Sequence, residues 1–199
     1  MNTPSPRERQ LRRAHPLAVA LVERLSAQPG AAVIDFGAGS GRNTAAFTSA
    51  GFTVQSVPDS EIRTFAADSE FDAAVATHSL LHGTHADVDA MLQALGGALK
   101  PDAPLYATFT SKGDARYGRG TRIEPDVYAP DSGDEAGVPH VYFDEPGLRA
   151  AIEPYFAIES MEEHGVDAIA GTWAHAIPLH GSVHWFVRAV RRTTRSGGR

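Results

Sequence analysis

Cysteine is absent from the chain. That excludes disulfides, thiolate nucleophiles and cysteine-ligated zinc or iron–sulfur centres. Long apolar runs are missing as well: no stretch approaches the roughly 18–20 residues needed to cross a bilayer. Positive charge is in deficit, with 18 Lys and Arg against 24 Asp and Glu and a net charge of −6. A surface for duplex nucleic acid is therefore not expected. The first thirteen residues are rich in arginine, yet no signal-peptide pattern with a small-residue cleavage site follows them. These absences point to a cytoplasmic protein. What is present fits one domain: 199 residues, 42% of them hydrophobic, bury a core without staples.

The pattern along the chain alternates between two periods. Residues 1–14 read as a flexible arm, 15–191 as the folded domain and 192–199 as a basic tail. After Pro16, the residues Leu17, Leu21, Val22 and Leu25 recur at helical spacing, and Gln28-Pro29-Gly30 stops that helix. The run Ala31 to Ile34 lacks polar alternation and reads as a strand buried on both faces. Helices are expected over Asn43–Ala50, Asp87–Leu99 and from a cap at Asp144 through Ile152. Further strands are expected over Phe52–Val57, Phe71–Thr77, Leu105–Thr110, Phe156–Met161 and Val183–Val190. Residues 111–140 show no regular period and read as a long polar loop. Strands alternating with helices predict an α/β fold, doubly wound and Rossmann-like, in three layers around a mainly parallel sheet.

The most informative segment is Val33-Ile34-Asp35-Phe36-Gly37-Ala38-Gly39-Ser40-Gly41. A buried strand runs into a glycine turn that opens a helix, which lets a ligand approach the backbone closely. The plain alternative is a tight strand-to-helix turn. A dinucleotide fingerprint would need glycine where Arg42 stands, and no Gly-Lys-Ser/Thr follows, so NAD and a Walker loop are disfavoured.

With these residues the chain resembles the class I S-adenosylmethionine-dependent methyltransferases. Asp35 to Gly41 looks like their first motif, and Gly41-Arg42-Asn43 with Gly51-Phe52-Thr53-Val54 is similar to the branch containing the tellurite-resistance enzymes. Phe71 to Val75 resembles the family's fourth strand, and Leu95 to Pro101 its turn before strand five. The resemblance implies an antiparallel last strand and S-adenosylmethionine as cofactor. It also implies a cofactor site drawn from Asp35, Gly37, Ala38, Gly39, Gly41, Asn43, Asp59 and Thr77.

Two departures stand out. Pro58 occupies the usual place of the ribose-binding acid, with Asp59 one residue later, and a one-residue shift turns a side chain to the other face of a strand. Residues 59–70 are also too few for a helix, a strand and two connections. The family's third strand is thus expected to be missing, with Asp68 the candidate for its acid and one short helix from Asp59 to Ala66 in its place. An adenine side so reduced is open or completed by a second copy in a homodimer.

Histidines dominate the segment after the fourth strand. His78 and His82 would share a face if the segment were helical, within reach of the transferred methyl, with His140 closing the site from the long loop. Proton acceptance or acceptor positioning is their expected role; backbone-bonded loop histidines are the alternative. No carboxylate-bearing ligand signature accompanies them, so no metal site is expected. Arg116, Arg119 and Arg122 read as solvated partners of Glu124, Asp126, Asp131 and Asp134 rather than as an anion site. Trp173 and Trp185 read as core or lid aromatics. The expected function is methyl transfer to a small-molecule acceptor. Its rival is a binding or assembly protein on a degenerate methyltransferase fold.

Overall fold

A computed structural model describes residues 13–67, 70–169, 171–172 and 180–192. Asp68, Trp173, most of the arm and all but the first residue of the basic tail lie outside the described residues.

Helix α1 (Pro16–Arg24) leads into β1 (Ala32–Phe36), α2 (Arg42–Ser49) and β2 (Thr53–Val57). Then come β3 (Ala73–Ala76), α3 (His85–Ala98) and β4 (Pro104–Ser111). The chain continues through β5 (Thr121–Glu124), β6 (Val127–Ala129), β7 (His140–Phe143), α4 (Glu145–Ile152), β8 (Phe156–Gly165) and β9 (Val183–Arg191). Strands β2, β1, β3 and β4 pair in parallel in that order, and β9 runs antiparallel between β4 and β8.

The three layers follow from which face each strand residue takes. Ile34 and Phe36 of β1, Ala74 and Ala76 of β3, and Leu105, Ala107 and Phe109 of β4 pack with α3 and α4. Val33, Val75 and Tyr106, alternating with them, pack with Leu17 and Leu21 of α1 and Phe47 of α2. Side chains of period two need a cover on both faces, and the helices supply it. Asp144 caps α4 as expected, accepting from Gly147 N at 2.9 Å.

No strand or helix is described between β2 and β3. Glu61 N bonds Pro58 O at 2.9 Å and Thr64 N bonds Glu61 O at 3.1 Å, so turns replace the short helix expected there. β2 is left as the edge of the sheet.

The expectation of one long loop over 111–140 is corrected. Residues 121–129 form a hairpin, and β6 pairs with β7. The stretch alternates too briefly around Pro125, Asp126 and Pro130 for periodicity to reveal it. β7 joins β4 at Thr110 and Ser111, while β9 occupies the other flank of Thr110. β7 therefore lies beyond the carboxyl end of β3, and the meander forms a wall there. Among the described residues no helix is long and apolar enough to cross a membrane.

Candidate functional site

From β1 the chain turns through Gly37, Ala38, Gly39, Ser40 and Gly41 into α2. Gly37 has φ +72°, and a Cβ there would collide with that of Ser79, which follows β3. Only glycine lets the two segments approach so closely. Asp59 reaches the same place: its carboxylate lies 3.1 Å from the position of a Gly37 Cβ and 3.7 Å from that of a Gly39 Cβ. The shift past Pro58 thus leaves an acid beside the glycine turn, delivered by the loop instead of the strand.

The electrostatics of the turn are unusual for a helix start. Asp35 is fully buried, and its Oδ2 accepts from Thr44 N at 2.8 Å and Thr44 Oγ1 at 2.6 Å. A carboxylate so placed complements the positive end of α2. Burial pushes its pKa up, while the Thr44 bonds, Asn43 and the Arg42 charge oppose that rise. Asp35 Oδ1 is buried and makes no hydrogen bond. The amides of Gly37 and Ala38 both donate to Val57 O at 2.9 Å. A phosphate would meet a carboxylate and spent amides here. A cation would meet a buried acceptor.

Arg42, at the position where a dinucleotide fingerprint has glycine, ties residues 13 and 171 to the start of α2. Its Nη1 donates to Gly171 O at 2.7 Å and to Arg13 O at 3.4 Å. Burial lowers its pKa to about 10, which leaves it charged at neutral pH, with Asp35 opposing the fall.

The expectation that His78 and His82 share a helical face is corrected. The segment between β3 and α3 is not helical, and His78 takes φ +60°. Their rings part. His78 Nε2 donates to Thr172 O at 2.6 Å in a tautomer with that nitrogen protonated, and its ring meets those of His184 at 4.9 Å and His15 at 5.7 Å. His15 caps α1 through Nδ1, and its backbone amide donates to Asn43 Oδ1 at 2.9 Å. Asn43 Nδ2 in turn donates to Thr77 Oγ1 at 3.0 Å. The expected cofactor residues Asn43 and Thr77 are thereby wired to this histidine group.

Burial holds His15 well below the ordinary imidazole range, with the His78 and Arg42 charges adding to it. Burial likewise takes His184 down to about 3, helped by Arg116, His15 and His140. Both are neutral. His15 Nε2, His184 Nδ1, Thr110 Oγ1 and Asp35 Oδ1 are the buried side-chain atoms without a hydrogen bond among the described residues. All four gather at the carboxyl ends of the parallel strands or on groups packed there. Buried polar atoms are normally satisfied by a partner.

His82 turns elsewhere. It faces His140 across an isolated antiparallel bridge, flanked by Gly83 N to Pro139 O at 2.7 Å and Val141 N to Leu81 O at 2.9 Å. Their rings lie 4.9 Å apart. Between them stands Glu135, with Oε1 3.3 Å from His82 Nε2 and Oε2 3.1 Å from His140 Nε2. His82 and Glu135 line a cleft of about 370 Å³ with Asp59, Ser60, Ile62, Arg63 and Val138. Sequence reasoning missed Glu135, which is 53 residues from His82 with nothing in its own neighbourhood to single it out. His15 and His184 were missed for the same reason: their partnership with His78 is made only by the fold.

Arg116 has a different partner from those expected. Arg116 forks onto Asp114, with Nε 3.0 Å from Oδ1 and Nη2 3.1 Å from Oδ2, while Arg119 and Arg122 are exposed. Trp185 packs against the core as expected and donates to Phe143 O at 3.0 Å.

No model of a known protein family and no curated protein matches the sequence. Solved structures do. A methyltransferase of Methanosarcina mazei described as S-adenosylmethionine-dependent is similar over 90% of this chain and 99% of its own, with a TM-score of 0.67 and 15% identity. The fold is that of the class I methyltransferases. The 1,6-didemethyltoxoflavin-N1-methyltransferase of Burkholderia thailandensis, crystallised with 1,6-didemethyltoxoflavin and S-adenosylhomocysteine, matches over 92% of this chain and 79% of its own. Its TM-score is 0.62 at 20% identity. The magnesium protoporphyrin IX methyltransferase of Synechocystis, with bound S-adenosylmethionine, covers 88% of this chain and 78% of its own, at TM-score 0.53 and 15% identity.

Proposed function

We propose that the protein transfers the methyl group of S-adenosylmethionine to a small-molecule acceptor. The observation that carries this reading is the buried Asp35 carboxylate, held by Thr44 beside a glycine turn with no amides of Gly37 or Ala38 left for phosphate. A carboxylate there favours a ligand carrying ammonium and sulfonium charge over a dinucleotide. The ligands of the toxoflavin and protoporphyrin enzymes on the same fold agree with it.

Asp35, Gly37, Ala38, Gly39, Gly41, Asn43 and Thr77 would hold the methionine portion, and Asp59 the ribose hydroxyls. The cofactor supplies a methyl group already activated on sulfur. The work left to this chain is alignment and exclusion of water. Arg42, bonded to Gly171 O and Arg13 O, would hold these two segments beside the glycine turn. For a hydroxyl or amine acceptor, His78 would take the proton. His82 would position the acceptor from the cleft wall, with His140 packed behind it. A thiol or chalcogen acceptor, as the resemblance to the tellurite-resistance branch suggests, needs no base. We further place the protein in the cytoplasm, acting on small molecules and not on nucleic acid, with the open β2 edge available to a second copy.

Calorimetric titration with S-adenosylhomocysteine tests the reading. Micromolar binding is expected, weakened roughly 10- to 100-fold in Asp35→Asn because a charge-assisted contact in a buried site is lost. No heat at high micromolar ligand would favour a non-catalytic binding protein instead.

A further inference from the structure

We propose that His82, Glu135 and His140 form a binding site for a divalent first-row transition metal. The site stands independently of methyl transfer. Its three residues come from three places: the segment after β3, the loop 130–139 and β7. Donor atoms bound at about 2.1 Å around one ion stand about 3.0–3.4 Å apart. The His82 Nε2–Glu135 Oε1 separation is 3.3 Å and the His140 Nε2–Glu135 Oε2 separation is 3.1 Å, with all three donor groups within 4.8 Å of one another.

The tautomer of His140 carries the argument further. Its Nδ1 lies 2.8 Å from Val138 O, and a carbonyl oxygen only accepts, so Nδ1 bears the proton. A neutral ring then directs the lone pair of Nε2 at a carboxylate oxygen. Two acceptors converge in this way on a cation. A backbone carbonyl fixing the second ring nitrogen is also the usual outer support of a metal-bound histidine.

The scaffold is rigid where the ligands need it. The bonds on either side of the His82–His140 bridge make these a non-hydrogen-bonded cross-strand pair, with both side chains on one face. Loop 130–139 is closed by Gly137 N to Pro130 O at 2.8 Å and Val138 N to Glu135 O at 3.0 Å. Arg116 Nη1 lies 3.8 Å from Glu135 Oε2 and opposes a second cation. Its fork onto buried Asp114 offsets much of that charge.

Two imidazoles with one carboxylate select a transition metal over Mg²⁺ or Ca²⁺, and leave coordination positions open. Because His82 and Glu135 line the cleft beside Asp59, those positions are placed for an oxygen or nitrogen of a bound small molecule.

The test is direct. Chelator-stripped protein is titrated with Co²⁺, followed by its visible d–d bands, and with Zn²⁺ by calorimetry. One equivalent is expected to bind. Glu135→Gln and His82→Asn, both at partly exposed positions, should each weaken binding by roughly 100-fold or more, beyond the usual cost of an outer-shell change. Wild-type protein that gives neither bands nor heat would overturn the site, leaving only hydrogen bonds between the histidines and Glu135. Equal affinity in wild type and Glu135→Gln would overturn it too, since other histidines would then be responsible. Metal binding without S-adenosylhomocysteine binding would uphold the site and remove the methyl-transfer reading.

Discussion

Two histidine groups grow from the two ends of one short segment, and their chemistry differs because of what surrounds them. His78 joins His15 and His184, whose buried rings are kept neutral by desolvation, with no carboxylate bonded to either ring. His82 joins His140 around Glu135, on the wall of an open cleft. The first group is tied to the glycine turn through Asn43, and the second touches it only by way of Asp59 across the cleft. The same side chain becomes a neutral hydrogen-bonding group in one place and a metal ligand in the other. Desolvation decides the first, and a shared carboxylate the second.

The comparison breaks most visibly in catalysis. His78→Ala should lower turnover by roughly 10²-fold or more if its imidazole accepts the acceptor's proton. Affinity for S-adenosylhomocysteine should barely change, because Asp35 and Asn43 are untouched. Steady-state rates with labelled cofactor, beside calorimetry on the same variant, give both quantities. Near-normal turnover would assign His78 to packing alone.

A smaller effect separates the groups by pH. The folded-state pKa of His184 is depressed to about 3, while the unfolded chain titrates near the ordinary 6.5. Above 6.5 neither state carries the proton, and no stability is lost. As pH falls below 6.5 the unfolded chain takes up a proton that the folded protein refuses, so stability declines until the folded pKa is passed. At pH 5 the loss from this residue is roughly 2 kcal/mol. Urea melts at pH 7 and pH 5 should show a steeper decline for wild type than for His184→Asn. Equal declines would mean that His184 is not held neutral.

The fold was largely legible in the sequence because unbroken apolar runs such as Ala31–Ile34, the helix-starting Pro16 and the cap at Asp144 are local signals. The loss of the third strand was legible from length alone. The meander at 121–143 was not, since its strands are three or four residues long and β5 is mostly exposed. At the site, the glycine turn could be read from Asp35 to Gly41. The division of the histidines could not, because it depends on His78 taking a left-handed conformation and on residues 30 and 94 positions away. Glu135 illustrates the limit: an acid in a polar loop has no signature until folding sets it between two imidazoles.

The smallest expected effect lies at His82. Its contact with Glu135 is partly exposed, with side chains 19% and 21% accessible. Pairs of that kind contribute about 0–1 kcal/mol, so His82→Asn in metal-free buffer should stay within about 1 kcal/mol of wild type. Saturating Zn²⁺ changes the comparison, because an ion that binds only the folded state adds about 2.7 kcal/mol at one hundred times its dissociation constant. Wild type should gain that increment, and His82→Asn, with weaker affinity, much less. His184→Asn should gain it in full, since its ring belongs to the other group. Thermal or urea melts with and without Zn²⁺ on the three proteins measure the difference. A gain shared equally by all three would show that the ion binds elsewhere, and the contrast between the two histidine groups would then rest on burial alone.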